Sequence, residues 1–223
     1  MNTTAIVLFA RSPEREAAAK GMRAAAPLFR AVIASWLESA RMHGAMPLIA
    51  CAAEDREALT EIAPDVERAW IEQRGDRFGT RVAATAADVF SLGFENVLIA
   101  AIDAPPPADL GRALTALGRG VTVVAPARDG GINFIGLTAL DRNLLERLTP
   151  RRRDLVRLCR AHFHALLVLR TTTDIDSQRA LDVARNERAW RGFLTPTTFQ
   201  HIHVAMPPLR GIAHELDSRP PPA

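Results

Sequence analysis

The sequence predicts a single α/β domain, a mixed and mainly parallel sheet with helices on both faces. Three observations predict it. Short apolar runs of strand length alternate with segments of helical pattern along most of the chain. The run 97–101 is apolar at both alternating sets of positions, as in a strand buried on both faces. And 223 residues, 48% of them hydrophobic, suit one large core.

Each element has its own warrant. Residues 5–10, AIVLFA, form the first buried strand, ended by Arg11, Ser12 and Pro13. Ser12 can cap a helix that has Pro13 at its first position. The helix is expected over 14–23, with Glu early and Lys20 and Arg23 late, the order the helix dipole favours. Pro27 breaks or restarts it, and it runs to about His43 and stops at Gly44. A second strand over 46–52 and a short helix over 54–62, stopped by Pro64, come next. A weaker third strand is expected over 68–71. The loop QRGDRFG, with Gly75 inside it, leads into a helix over 80–92 that Gly93 ends.

The central strand 97–101 stops at Asp103, and Pro105, Pro106 and Pro107 stiffen the loop beyond it. A helix over 109–117 and a strand over 121–125 follow. The turn ARDGG at 127–131 joins that strand to another over 132–137. Helices are expected over 141–148 and 154–164, a strand over 166–169, and a last helix over 178–186 opened by TDIDS. From Gly192 the pattern fades into proline-spaced sequence. The domain is therefore expected over 1–191, with a C-terminal extension over 192–223.

Composition narrows the function. The net charge is +3, arginine supplies nearly all the positive charge, and Lys20 is the only lysine. Basic residues cluster only at 151–153, which gives no nucleic-acid footprint. No run reaches the length of a membrane span. The chain opens on a strand pattern and not on a leader peptide, so a cytoplasmic protein is expected. Cys51 and Cys159 match no metal spacing and read as buried free thiols. No G-x-S-x-G, P-loop or G-x-G-x-x-G element is present, which weakens hydrolase, NTPase and dehydrogenase readings.

The chemistry gathers in four loops. In open α/β sheets, ligands bind beyond the carboxyl ends of the strands. Arg11-Ser12-Pro13, Asp103 with its prolines, and Asp174-Ile175-Asp176 each follow a strand. Asp129-Gly130-Gly131 makes a turn between strands, where paired glycines serve a tight hairpin or a close ligand approach. A lone Asp after a strand is usually a turn cap, but three such loops on one edge point to a site. Asp103 with Asp174 or Asp176 would supply the one or two carboxylates by which Mg²⁺ is held against substrate phosphates. His162 and His164 lie two apart on a helix and face different ways, and His201 and His203 fall in the faded tail.

The ordered set FARSP, RGDRFGTR, LIAAIDAPPP, APARDGGINFIGL and DIDSQRAL resembles a bacterial family of glycosyltransferase-A-like proteins. Its members are labelled as domains of unknown function or as nucleotide-diphospho-sugar or arsenosugar-type glycosyltransferases. The resemblance runs from about Ala5 to Ala184, and DGG before an apolar strand ending in IGL is its most specific part.

It implies a three-layer glycosyltransferase-A-like fold, shared with nucleotidyltransferases. It implies Asp103 as the catalytic and metal-binding acid, Asp174 and Asp176 as further metal ligands, and Mg²⁺ or Mn²⁺ as cofactor. Arg11, Ser12, Lys20, Gly75, Asp129, Gly130 and Gly131 are then the candidates to bind a nucleotide sugar or a nucleoside triphosphate. The implied activity is sugar transfer to an acceptor that the sequence does not name. Nucleotidyl transfer to a small phosphorylated acceptor, or binding without chemistry, are the alternatives. The chain departs from the family in its first loop, where EREAAAKGM stands in place of a Pro-Gly element. It also has Ala101-Ile102-Asp103-Ala104-Pro105-Pro106 for G-T-D-C-P-D, and Ile132 and Asn133 where tyrosines follow DGG.

Overall fold

The structure is a computed structural model that describes residues 3–64, 70–149, 154–195 and 198. The arginines at 151–153, the first two residues of the expected strand over 68–71, and His201 and His203 lie outside the described residues.

Among the described residues, seven strands form one sheet in the order β3-β2-β1-β4-β6-β5-β7. They are β1 (Thr4–Phe9), β2 (Met46–Cys51), β3 (Trp70–Glu72), β4 (Asn96–Ala101), β5 (Thr122–Pro126), β6 (Ile132–Leu137) and β7 (Leu166–Val168). β1 pairs parallel with β2 and β4, β2 with β3, and β5 with β7, whereas β6 runs antiparallel to β4 and β5. β4 is the middle strand, as its doubly apolar pattern requires, and Val97, Leu98 and Ala100 are fully buried.

The two faces of the sheet carry separate cores. One packs Ile6, Leu8, Leu98 and Ala100 under α1 (Pro13–Ala19), α2 (Ala26–Met42), α3 (Arg56–Thr60), α5 (Leu110–Leu117) and α8 (Gln178–Ala184). The other packs Ala5, Val7, Val97 and Ile99 under α4 (Phe78–Ser91), α6 (Arg142–Glu146) and α7 (Leu155–His162). The strands alternate because successive side chains point to opposite faces. Phe193 and Leu194 pack on the first core, so its contacts run past residue 191.

Three details differ from the sequence expectation. The helix expected over 14–23 is α1 alone, capped at Lys20, because the chain turns at Gly21 with φ +67° before the 3₁₀ turn Arg23–Ala25. Ser12 precedes α1 without capping it through its side chain. Its backbone N–H is instead donated to Asp55 Oδ1 at 2.9 Å. The third strand runs one residue further than expected, to Glu72, which pairs with Cys51. Cys51 and Cys159 are free and buried, and burial raises both thiols to about 11. Among the described residues no helix is long and apolar enough to cross a membrane.

Candidate functional site

Six strands run the same way, so their carboxyl ends share one edge of the sheet, and the β5–β6 turn lies on that edge too. The strand order reverses between β1 and β4, which opens a crevice beyond their ends. A cleft of about 450 Å³ occupies this place, within the size range of small-ligand sites. Arg11, Lys20, Asp103, Asp129, Gly131, Asp174 and Asp176 all line it.

Asp103 is held from several sides. The loop after β4 is pinned by Trp36 of α2, whose Nε1–H donates to the Ala104 carbonyl at 2.8 Å. The Asp103 carbonyl accepts the Ile175 N–H at 2.8 Å, which ties the β4 loop to the Asp174–Asp176 loop. The Asp103 carboxylate accepts from Lys20 Nζ at 2.6 Å. Lys20 donates also to the Ile175 carbonyl at 2.8 Å and lies 3.2 Å from Glu16, one helical turn back. Burial works against the lysine charge, but Asp103 and Glu16 outweigh it and raise the Lys20 pKa.

Three carboxylates, Asp129, Asp174 and Asp176, place ligand oxygens within 4.8 Å of one another. Asp103 stands beside this group. Burial, then the charges of Asp103 and Asp176, push the Asp174 pKa up to about 6. Such crowding of like charges is costly without a cation.

A second network brings Asp129 and Asp174 together. Glu187 accepts the Thr173 N–H at 3.0 Å and the Thr173 hydroxyl at 2.7 Å, and Arg128 Nη2 donates to it at 2.6 Å. Arg128 Nε also donates to the Thr173 hydroxyl at 2.9 Å. Trp190 Nε1 donates to the Thr173 carbonyl at 2.8 Å. Arg128 and Thr173 are the chain neighbours of Asp129 and Asp174, so the acids are carried on loops bolted to each other.

The remaining candidates sit elsewhere. Ser12 is buried behind the cleft, on Asp55. Gly75 does not line the cleft; with φ +128° it turns the loop before α4, where a Cβ would lie 2.7 Å from Thr80 Oγ1. Gly130, with φ +94°, makes the β5–β6 turn, and Gly131 donates its N–H to Asp129 Oδ1 at 2.7 Å. His162 pairs with Asp141, the residue that caps α6, and is absent from the cleft.

Sequence reasoning missed Glu16, Asp55, Arg81 and Glu187, and it named Gln73 and Asn133 only as parts of the QRGDRFG loop and of the segment after DGG. The four-residue spacing of Glu16 and Lys20 was the one local signal. Asp55 is buried and accepts from Ser12 N–H and from Arg15 at 2.8 Å. Gln73 donates to the Ala10 and Ala50 carbonyls. Asn133 lines the cleft, is buried, and its Oδ1 has no partner among the described residues.

A family model described as "Uncharacterized protein conserved in bacteria (DUF2064)" matches residues 36–149, just over half of the chain. The stretch contains Asp103 and Asp129. No curated protein matches the sequence. Among solved structures, a protein from Desulfovibrio desulfuricans G20 provisionally named a nucleotide-diphospho-sugar transferase superposes with a TM-score of 0.73 at 22% identity. The alignment covers 92% of this chain and 98% of that one. Mannose-1-phosphate geranyltransferase from Thermus thermophilus gives 0.53 at 15% identity, covering 84% and 80%. 4-diphosphocytidyl-2C-methyl-D-erythritol synthase from Anaerococcus prevotii DSM 20548 gives 0.51 at 12%, covering 81% and 93%. These likenesses show the fold: a nucleotide-diphospho-sugar transferase-like, glycosyltransferase-A-like α/β domain.

Proposed function

The chain belongs to the DUF2064 family, and on that premise we propose that it is a metal-assisted transferase using a nucleotide sugar. The observation that carries the reading is the gathering of Asp103, Asp129, Asp174 and Asp176 beside Lys20 and Arg11 at the carboxyl ends of the strands. A nucleotide diphosphate is a dense anion, and a site that receives it needs cations. Lys20 and Arg11 are two such cations, and the cluster of carboxylates makes a place for a metal ion.

The donor set fits a hard divalent cation, Mg²⁺ or Mn²⁺. It is oxygen only, it is crowded, and the raised Asp174 pKa is the cost that a bound cation would remove. Asp129, Asp174 and Asp176 would hold the ion, with Asp103 as the fourth carboxylate. Such an ion would supply positive charge to a diphosphate leaving group. Lys20 and Arg11 line the same cleft and would take the remaining phosphate charge, which is electrostatic catalysis without a covalent protein intermediate. In the transfer, the anomeric carbon exchanges its bond to phosphate oxygen for a bond to an acceptor oxygen. Nucleoside diphosphate leaves, and the acceptor proton passes to solvent.

Thermal melts with UDP-, GDP- and CMP-type ligands, each with and without Mn²⁺, test the proposal. It expects at least one nucleotide to stabilise the protein only when metal is present. No metal-dependent shift across the panel would favour a binding protein of the same fold that does no chemistry. A shift with nucleoside triphosphate alone would favour nucleotidyl transfer.

A further inference from the structure

Among the described residues, Arg81 is a cation in the cleft without a counterpart. It lies in the first turns of α4, and its Nε is closed off from solvent with no hydrogen-bond partner. Among the described residues its guanidinium makes no ion pair. Other arginines near this edge behave differently: Arg11 pairs with Glu16, Arg15 with Asp55, Arg74 with Asp88 and Arg128 with Glu187. A half-buried guanidinium with a sealed, unpaired nitrogen is costly, and such groups are usually satisfied.

Apolar side chains line the cleft on the face of the sheet that carries α4, the helix of Arg81. Phe78 and Val82 flank it on α4, Phe9 meets Phe78 edge to face at 5.6 Å, and Ile135 and Leu148 complete the wall. This wall belongs to the core under α4, α6 and α7, whereas Lys20 follows α1 on the opposite face of the sheet. The cleft therefore has two unlike regions, one of carboxylates with Lys20, the other a guanidinium on the same face as this apolar wall. Gln73, the nearby amide that lines the cleft, already spends its NH₂ on the Ala10 and Ala50 carbonyls.

We propose that Arg81 and this wall form a subsite for a small organic anion, with a phosphate or carboxylate head on the guanidinium and an apolar body against Phe9, Phe78 and Leu148. Calling that molecule the acceptor rests on the transferase reading; the binding itself does not. Arginine suits the head group because its planar fork meets carboxylate or phosphate with two parallel N–H donors. The wall adds affinity in proportion to the hydrocarbon buried.

Calorimetric titration with inorganic phosphate, butyl phosphate, hexyl phosphate, acetate and hexanoate tests the subsite. Hexyl phosphate is expected to bind at least tenfold tighter than inorganic phosphate, with butyl phosphate between them. Hexanoate separates the two heads: a rise over acetate of the same order includes carboxylates in the class, and no binding restricts it to phosphates. Arg81→Met should weaken hexyl phosphate by tenfold or more and leave the melting temperature of the unliganded protein unchanged or higher. Arg81→Lys should restore part of the binding.

Equal affinity for phosphate and hexyl phosphate would overturn the proposal, as would unchanged binding in Arg81→Met. A sharp loss of unliganded stability in Arg81→Met, recovered in Arg81→Lys, would make Arg81 structural and overturn it too. Asp174→Asn separates the two readings. It should lose metal-dependent nucleotide binding and keep hexyl phosphate. Arg81-dependent binding of hexyl phosphate in a protein that takes no nucleotide would uphold the subsite and remove the transferase. Nucleotide binding with no hexyl phosphate would do the reverse.

Discussion

Lys20, the single lysine of the chain, is shared by Asp103, Glu16 and the Ile175 carbonyl. If Asp103 belongs to the metal set, Asp103→Ala should abolish metal-dependent nucleotide binding while the protein still folds. In a transferase assay the loss should be on the order of 3 kcal/mol of transition-state stabilisation. If Asp103 only turns the chain, the change should cost about 1 kcal/mol of stability and leave binding alone. Nucleotide titration of both proteins with Mn²⁺ distinguishes these outcomes. Asp174 supplies a pH test. Its carboxyl titrates near 3.8 in the unfolded chain and at about 6 in the fold, so the folded protein favours the protonated form. That preference holds at low pH and is lost as pH rises through 6. Asp174→Asn should therefore stabilise the metal-free protein by on the order of 2 kcal/mol at about pH 8 and by little at about pH 4, read from urea unfolding. Asp103 and Asp174 were legible in the sequence because each follows an apolar run. Their partners were not: Lys20 is 83 residues from Asp103, and no local pattern reports that distance.

Two elements hold the site without touching the cleft's contents. The β1–α1 connection rests on Asp55, which takes the Ser12 N–H and the Arg15 guanidinium from within the 3₁₀ turn Ala53–Asp55. Asp55→Ala leaves the Ser12 N–H unpaired in a buried place and should cost about 2–3 kcal/mol by chemical denaturation. On the other side, Glu187 joins the turn carrying Asp129 to the loop carrying Asp174. Glu187→Gln should weaken Mn²⁺ binding by about tenfold, as expected when support behind a metal ligand is lost. Its melting temperature should fall only modestly, and a large fall with unchanged Mn²⁺ affinity would assign Glu187 to the fold alone. The helices themselves were well marked in sequence. Pro27 and Gly44 bound α2, and Ser177 caps α8 by accepting the Ala180 N–H. What the pattern could not show was how α4 meets α6. Gly79 lets them touch, since a Cβ there would lie 2.4 Å from the Glu146 carbonyl oxygen.

At the scale of the molecule, the topology follows from a few constraints that the sequence displays. Buried runs of both-face apolar residues require a covered sheet, and helices between them require parallel crossovers. ARDGG, too short for a crossover, forces β6 to run antiparallel to β5. The strand order, and with it the crevice between β1 and β4, is set by long-range packing and had to be seen. Once it is seen, four loops scattered from Arg11 to Asp176 become one acidic and cationic rim. The central claim is that this rim holds a divalent ion for a nucleotide. Electron paramagnetic resonance of Mn²⁺, titrated into the protein with the best-binding nucleotide, tests it most directly. Wild type should quench the free Mn²⁺ signal with one site per chain, more tightly with nucleotide than without. Asp129→Asn and Asp174→Asn should each weaken that site by at least tenfold. Free Mn²⁺ signal undiminished by the wild-type protein, or equal quenching by all three proteins, would contradict the account.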